Sequence, residues 1–97
     1  MEFHDRWAVI TGASMGLGRA FATECAKRGM RLFLVALPGS GLPELAAQLS
    51  KEYDIETRWL EGDLIELATL ERLRDKVTAE DIGIDLLINN AGIGTPG

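Results

Sequence analysis

Thr11-Gly12-Ala13-Ser14-Met15-Gly16-Leu17-Gly18 lies between a continuous apolar run, Trp7-Ala8-Val9-Ile10-Thr11, and a segment whose apolar positions Leu17, Ala20, Phe21 and Cys25 recur at helical spacing. An uninterrupted apolar run of this length suits a strand buried on both faces, as in the centre of a parallel sheet. The three glycines between strand and helix have separate tasks. Gly12 permits the tight exit from the strand, Gly16 lets the backbone approach an anion, and Gly18 allows the helix to pack close to the sheet. Backbone N–H groups of Ser14, Met15, Gly16 and Leu17 then face a phosphate at the positive end of the helix dipole, with the Ser14 hydroxyl as a further donor. A glycine turn that follows a strand and opens a helix is read as a dinucleotide pyrophosphate site; the competing reading is a glycine-rich turn without a ligand.

Outward from this turn, the same alternation repeats. The first helix is expected over about Leu17 to Arg28, with Gly29 placed where a helix C-terminus needs positive φ. Leu32-Phe33-Leu34-Val35-Ala36-Leu37 is a second strand, and Pro38-Gly39-Ser40-Gly41-Leu42 is its exit loop of turn formers. Pro43 suits the first turn of a second helix with Leu45, Ala46 and Leu49 as its buried stripe, closed by the polar segment Ser50 to Asp54. Ile55 to Leu60 reads as a third, less apolar strand. Leu67, Leu70, Leu73 and Val77 mark a third helix, Gly83 breaks it, and Ile84-Asp85-Leu86-Leu87-Ile88-Asn89 is a fourth strand.

The order βαβαβαβ demands right-handed crossovers, so the expected fold is α/β, a Rossmann-like parallel sheet with helices on both faces. Residues 1–97 are read as a single NAD(P)-binding domain. The chain stops at Gly94-Thr95-Pro96-Gly97, before any helix that could return over the fourth strand. The sheet is therefore expected to be incomplete at its C-terminal side, with an exposed apolar edge that leaves the isolated chain poorly stable or self-associating.

Composition narrows the function classes. The chain has 97 residues, 46% of them hydrophobic and 26% charged, and a formal net charge of −5 argues against nucleic acid or an anionic membrane as partner. No apolar stretch approaches the roughly 20 residues of a membrane span, and Met1-Glu2-Phe3-His4-Asp5-Arg6 has no signal-peptide pattern, so a cytoplasmic location is expected. The single cysteine, Cys25, falls on the apolar face of the first helix, where a buried, inert thiol is expected. His4 is the only histidine and no cysteine pair exists, so a metal site is unsupported. No Gly-Lys-Ser/Thr phosphate loop occurs, which removes the P-loop reading.

The spacing Gly-x-x-x-Gly-x-Gly preceded by Thr11, together with Asn89-Asn90-Ala91-Gly92 at the end of the fourth strand, resembles the short-chain dehydrogenase/reductase family over the whole chain. That resemblance implies an NAD(P)-dependent oxidoreductase moving a hydride between nicotinamide and a small carbonyl or alcohol substrate, homo-oligomeric in its full-length form. It places Asn90, Ala91 and Gly92 on the nicotinamide-ribose side and Asp63 and Leu64 at the adenine. The competing reading of Asp63 is an N-cap for the third helix. Cofactor choice is set at the end of the second strand, where a carboxylate would hold the ribose hydroxyls of NAD and a cation the extra phosphate of NADP. Here stand Ala36 and Leu37, and Met15 occupies the place before Gly16 where the family's NADP-dependent members carry a basic residue. With no carboxylate to repel a phosphate, and with donors in Gly39-Ser40-Gly41, the expectation leans to NADP.

The family's alkoxide donor is a Tyr in Tyr-x-x-x-Lys, aided by a Ser. The only tyrosine here is Tyr53, followed four places on by Thr57. No catalytic residue is therefore assigned within these residues; the Ser, Tyr and Lys are expected beyond Gly97, and the chain alone is expected to be inactive. The alternatives are a non-catalytic dinucleotide-binding or sensing module and a methyltransferase-like half-sheet, against which Ala36 counts.

Overall fold

Among the described residues seven elements alternate: β1 (Trp7–Thr11), α1 (Gly16–Lys27), β2 (Arg31–Ala36), α2 (Leu42–Tyr53), β3 (Thr57–Glu61), α3 (Leu67–Ala79) and β4 (Ile84–Asn89). The structure, a computed structural model, describes residues 6–14, 16–63, 66–80 and 82–89. The strands form one sheet in the order β3-β2-β1-β4, and every neighbouring pair is parallel. The chain steps outward from β1 to β2 to β3, then crosses back to the other side of β1. Right-handed crossovers in opposite directions put α1 and α2 on one face of the sheet and α3 on the other.

Two apolar layers result, as the period-two alternation of strands requires. Ala8, Ile10, Leu32 and Leu34 meet Ala22, Cys25 and Ala26 of α1 and Leu45, Ala46 and Leu49 of α2. On the opposite face Trp7, Val9, Phe33, Val35 and Leu60 are buried, with Leu73 and Val77 of α3 packed against them. All five residues of β1 and the last five of β2 are buried, as expected for strands covered on both faces. β4 is different: Ile84, Leu86 and Leu87 are exposed.

Element boundaries differ from the sequence reading where side chains reach across turns. α2 continues through Ser50 to Tyr53, since Asp54 adopts left-handed backbone (φ 54) and its N–H closes on the Ser50 carbonyl. The Ser50 hydroxyl donates to the Ile55 carbonyl at 2.7 Å, which turns the chain toward β3. In α3, Leu67 and Leu70 are exposed; Thr69, 2% exposed, is the buried position, and the helix turns Thr69, Leu73 and Val77 toward the sheet at four-residue spacing.

The register of β4 has a local device. Trp7 pairs with Ile84 and Ala8 with Leu86, so Asp85 is the extra residue of a bulge. Its carboxylate accepts the Trp7 N–H at 3.0 Å and lies 3.4 Å from Arg6. The side chain thus supplies the acceptor that the ladder lacks at this point, and beyond it Asn89 falls opposite Thr11.

Cys25 is buried, as expected. Burial pushes its thiol pKa up, Glu24 adds to the rise and Arg28 opposes it. The folded chain therefore holds the thiol proton more tightly than the unfolded one. The associated stability is complete at neutral pH and is lost only as pH rises through the elevated thiol range. Iodoacetamide at pH 7 is expected to leave Cys25 unmodified in the folded protein and to label it after denaturation, read by mass spectrometry; equal labelling in both states would contradict a protected thiol.

Candidate cofactor-binding site

Since all four strands are parallel, their C-terminal ends share one edge: Thr11 lies beside Val35 and Asn89, and Ala36 beside Glu61. The direction of strand succession reverses between β1 and β4, which opens a crevice at that edge. The glycine turn leaves β1 directly into it. Gly12 takes φ 64, and the N–H of the buried Ala13 donates to the Val35 carbonyl at 3.1 Å, tying the turn to β2.

Gly16 begins α1 with φ 51, and a Cβ added there would meet no protein atom within 4 Å. Backbone is thus presented to open space, in a conformation that favours glycine. No acidic residue stands in the first turn of α1, so the positive end of the helix is not neutralised from within. Gly18 is buried where α1 meets the sheet, Leu17 is exposed and Ser14 is half-buried. These features suit an anionic group lying against the backbone.

The tips of β1 and β4 are joined by side chains. The Thr11 hydroxyl, 4% exposed, donates to Asn89 Oδ1 at 3.0 Å, which fixes the last residue of β4 beside the last residue of β1, where the glycine turn begins. Thr11 and Asn89 were singled out in the sequence only as flanks of two motifs. Their pairing follows from both being the last residues of strands that the topology makes neighbours.

Asp63 follows β3 at the same edge, after Gly62, whose N–H donates to the Ala36 carbonyl at 2.9 Å. The N-cap position of α3 is Glu66, and the Asp63 carbonyl accepts the Glu66 N–H at 3.0 Å. The alternative reading of Asp63 as that helix's cap is therefore set aside. In the loop after β2, Leu37 is exposed, and the Ser40 hydroxyl donates inward to the Leu37 carbonyl at 2.6 Å. Its hydrogen is engaged within the loop, unlike the outward donor expected from sequence; Gly39 and Gly41, at φ 79 and 81, shape this turn. Met15, Leu64, Asn90, Ala91 and Gly92 lie outside the described residues.

Tyr53 ends α2 at the opposite edge of the sheet, next to the start of β3, and packs on the first core layer. Among the described residues no group of three His, Cys, Asp or Glu side chains is arranged to hold a metal. No described helix is long and apolar enough to cross a membrane.

Residues 6–97 match the family model described as short chain dehydrogenase. The chain belongs to this family. Among its members, the very-long-chain 3-oxoacyl-CoA reductase of Anas platyrhynchos is 38% identical over 89 residues, covering 90% of this chain and 28% of the relative. The chain thus spans little more than a quarter of that relative's length. Of solved structures, L-sorbose reductase from Gluconobacter frateurii, complexed with NADPH and L-sorbose, superposes with a TM-score of 0.87 at 32% identity, covering 96% of this chain and 35% of that one. The bulky-bulky ketone specific alcohol dehydrogenase of Comamonas testosteroni gives a TM-score of 0.80 at 36% identity, covering 95% and 36%. The residues matched to the family take in the whole described sheet, the glycine turn and the Thr11–Asn89 junction.

Proposed function

We propose that these residues form the NAD(P)-binding part of a short-chain oxidoreductase that interconverts a carbonyl and an alcohol. The observation that carries this reading is the α1 N-terminus, opened by Gly16 onto free space at the sheet's switch point. Backbone N–H groups of Ser14, Met15, Gly16 and Leu17 would hold the pyrophosphate, Asp63 and Leu64 the adenine, and Asn90, Ala91 and Gly92 the nicotinamide ribose. Gly12 and Gly18 set the turn and the helix packing that aim those donors. A bound nicotinamide cofactor supplies the hydride chemistry; this part of the chain fixes its position.

The alkoxide donor must come from elsewhere. Hydride transfer to a carbonyl needs an acid at the developing oxyanion, and Tyr53 lies at the wrong edge of the sheet. The carbonyl class is supported by the reductase and ketone-specific relatives, each of which is about three times as long as this chain.

NADP is favoured over NAD. Ala36 and the exposed Leu37 put no carboxylate at the end of β2, and the L-sorbose reductase structure holds NADPH. Fluorescence titration of the protein with NADPH and NADH is expected to show roughly tenfold tighter binding of NADPH, about 1.4 kcal/mol. Tighter binding of NADH would overturn the cofactor preference. Binding of neither, with S-adenosylmethionine bound instead, would overturn the oxidoreductase reading.

A further inference from the structure

At the far side of the sheet from β4, β3 has no neighbouring strand among the described residues. Its main-chain polarity is set by the pairing with β2: the Glu56 carbonyl accepts from Leu32 at 3.0 Å, and the Gly62 N–H donates to Ala36 at 2.9 Å. In a strand the N–H and C=O of one residue point the same way and alternate along the chain. Thr57, Trp59 and Glu61 therefore direct their main-chain groups away from the sheet, as an edge open to pairing.

Two of those carbonyls are already taken. Arg58 Nη1 donates to the Thr57 carbonyl at 3.0 Å, and Arg72 Nη2 reaches over from α3 to the Glu61 carbonyl at 3.2 Å. Arg58 is itself braced by Glu80 at 2.6 Å and Glu56 at 2.8 Å. Trp59, 41% exposed, lies on the strand between those two carbonyls and, with Pro38, Arg72 and Lys76, lines a hollow of about 550 Å3.

We infer that Arg58 and Arg72 close the β3 edge against strand addition, the excluded partner being a second copy of this chain. The geometry of the excluded pairing is specific. Two copies of β3 meeting antiparallel about a two-fold at Trp59 would pair Thr57 of one with Glu61 of the other. Every inter-strand bond except those at Trp59 would then end on a carbonyl that an arginine holds. Neither arginine is among the residues assigned to the cofactor, and the inference does not depend on the proposed activity.

The test is amide hydrogen exchange at Trp59 and Glu61, with light scattering, over a wide range of protein concentration. In the wild-type protein these two amides are expected to exchange at the same fast rate at every concentration. In the Arg58→Ala, Arg72→Ala double variant they should become protected as concentration rises, by roughly tenfold or more, together with a dimer by scattering. The Arg72→Ala single variant leaves the Arg58 ion pairs in place and should show the same change in smaller measure, should the double variant fail to fold. Fast exchange at Trp59 and Glu61 in Arg72→Ala at all concentrations would overturn the inference, as would concentration-dependent protection in the wild type. Association through the exposed β4 would not imitate the result, since it leaves the β3 amides unchanged.

Discussion

Gly16→Asp is expected to weaken NADPH binding by roughly 100-fold. Two unit charges about 6 Å apart at an effective dielectric near 20 repel by about 3 kcal/mol, and 1.4 kcal/mol corresponds to a factor of ten. The carboxylate would project into the space that is empty of protein atoms at Gly16, where the pyrophosphate is proposed to lie. Folding should suffer less. The left-handed backbone at φ 51 costs an L-residue about 1–2 kcal/mol, and the absence of neighbours adds no clash. Isothermal titration would check the affinity and a thermal melt the stability. Binding within about threefold of wild type would remove the pyrophosphate from the α1 N-terminus.

Gly62→Ala is expected to destabilise the fold by about 2 kcal/mol, as overpacking does in a site that cannot yield, and to lower the melting midpoint by about 10 °C. A Cβ at Gly62 would lie 2.6 Å from Thr69 Cγ2 and 2.7 Å from Thr69 Oγ1. Thr69 is the buried residue of α3, so the helix cannot accept the methyl group without moving off the sheet. The Thr69→Ala change removes both atoms, and the double variant Gly62→Ala, Thr69→Ala should be more stable than Gly62→Ala alone. A coupling energy near zero in this double-mutant cycle would show that the contact is not the cause. Since Asp63 follows Gly62 directly, displacement of α3 is also expected to weaken adenine contacts, giving Gly62→Ala a secondary loss of cofactor affinity.

Much of the fold was legible in the sequence because its signals are local. A run such as Trp7 to Thr11, apolar at every position, can be satisfied only where both faces are covered, and β1 and β2 occupy the sheet centre as that demands. Gly12, Gly16 and Gly29 all take positive φ at the places the turn and helix-end readings assigned them. α3 was harder. Leu67 and Leu70 look like a buried stripe in a one-dimensional pattern, yet the contact of Thr69 with Gly62 sets which side of the helix faces the sheet. A small polar residue chosen for close approach has no periodic signature.

The same division runs through the site. A glycine turn opening a helix is a local conformational need, so the ligand class and the donors that would meet it could be read residue by residue. Asp63, in contrast, has two local readings, and only the folded chain shows that Glu66, not Asp63, holds the N-cap position of α3. Ser40 could be recognised as a hydroxyl in a turn, but its inward bond to Leu37 depends on the loop's folded shape. The sequence by itself determined the order of elements, the strands buried on both faces and the glycine turn, since each is dictated by backbone sterics and apolar period within a dozen residues. Tertiary structure alone decided that Thr11 meets Asn89, that Asp85 completes the ladder at Trp7, and that Arg58 and Arg72 cover the β3 edge. Those contacts join residues distant in the chain or on different elements, and their energies exist only once the sheet has set strand order and register.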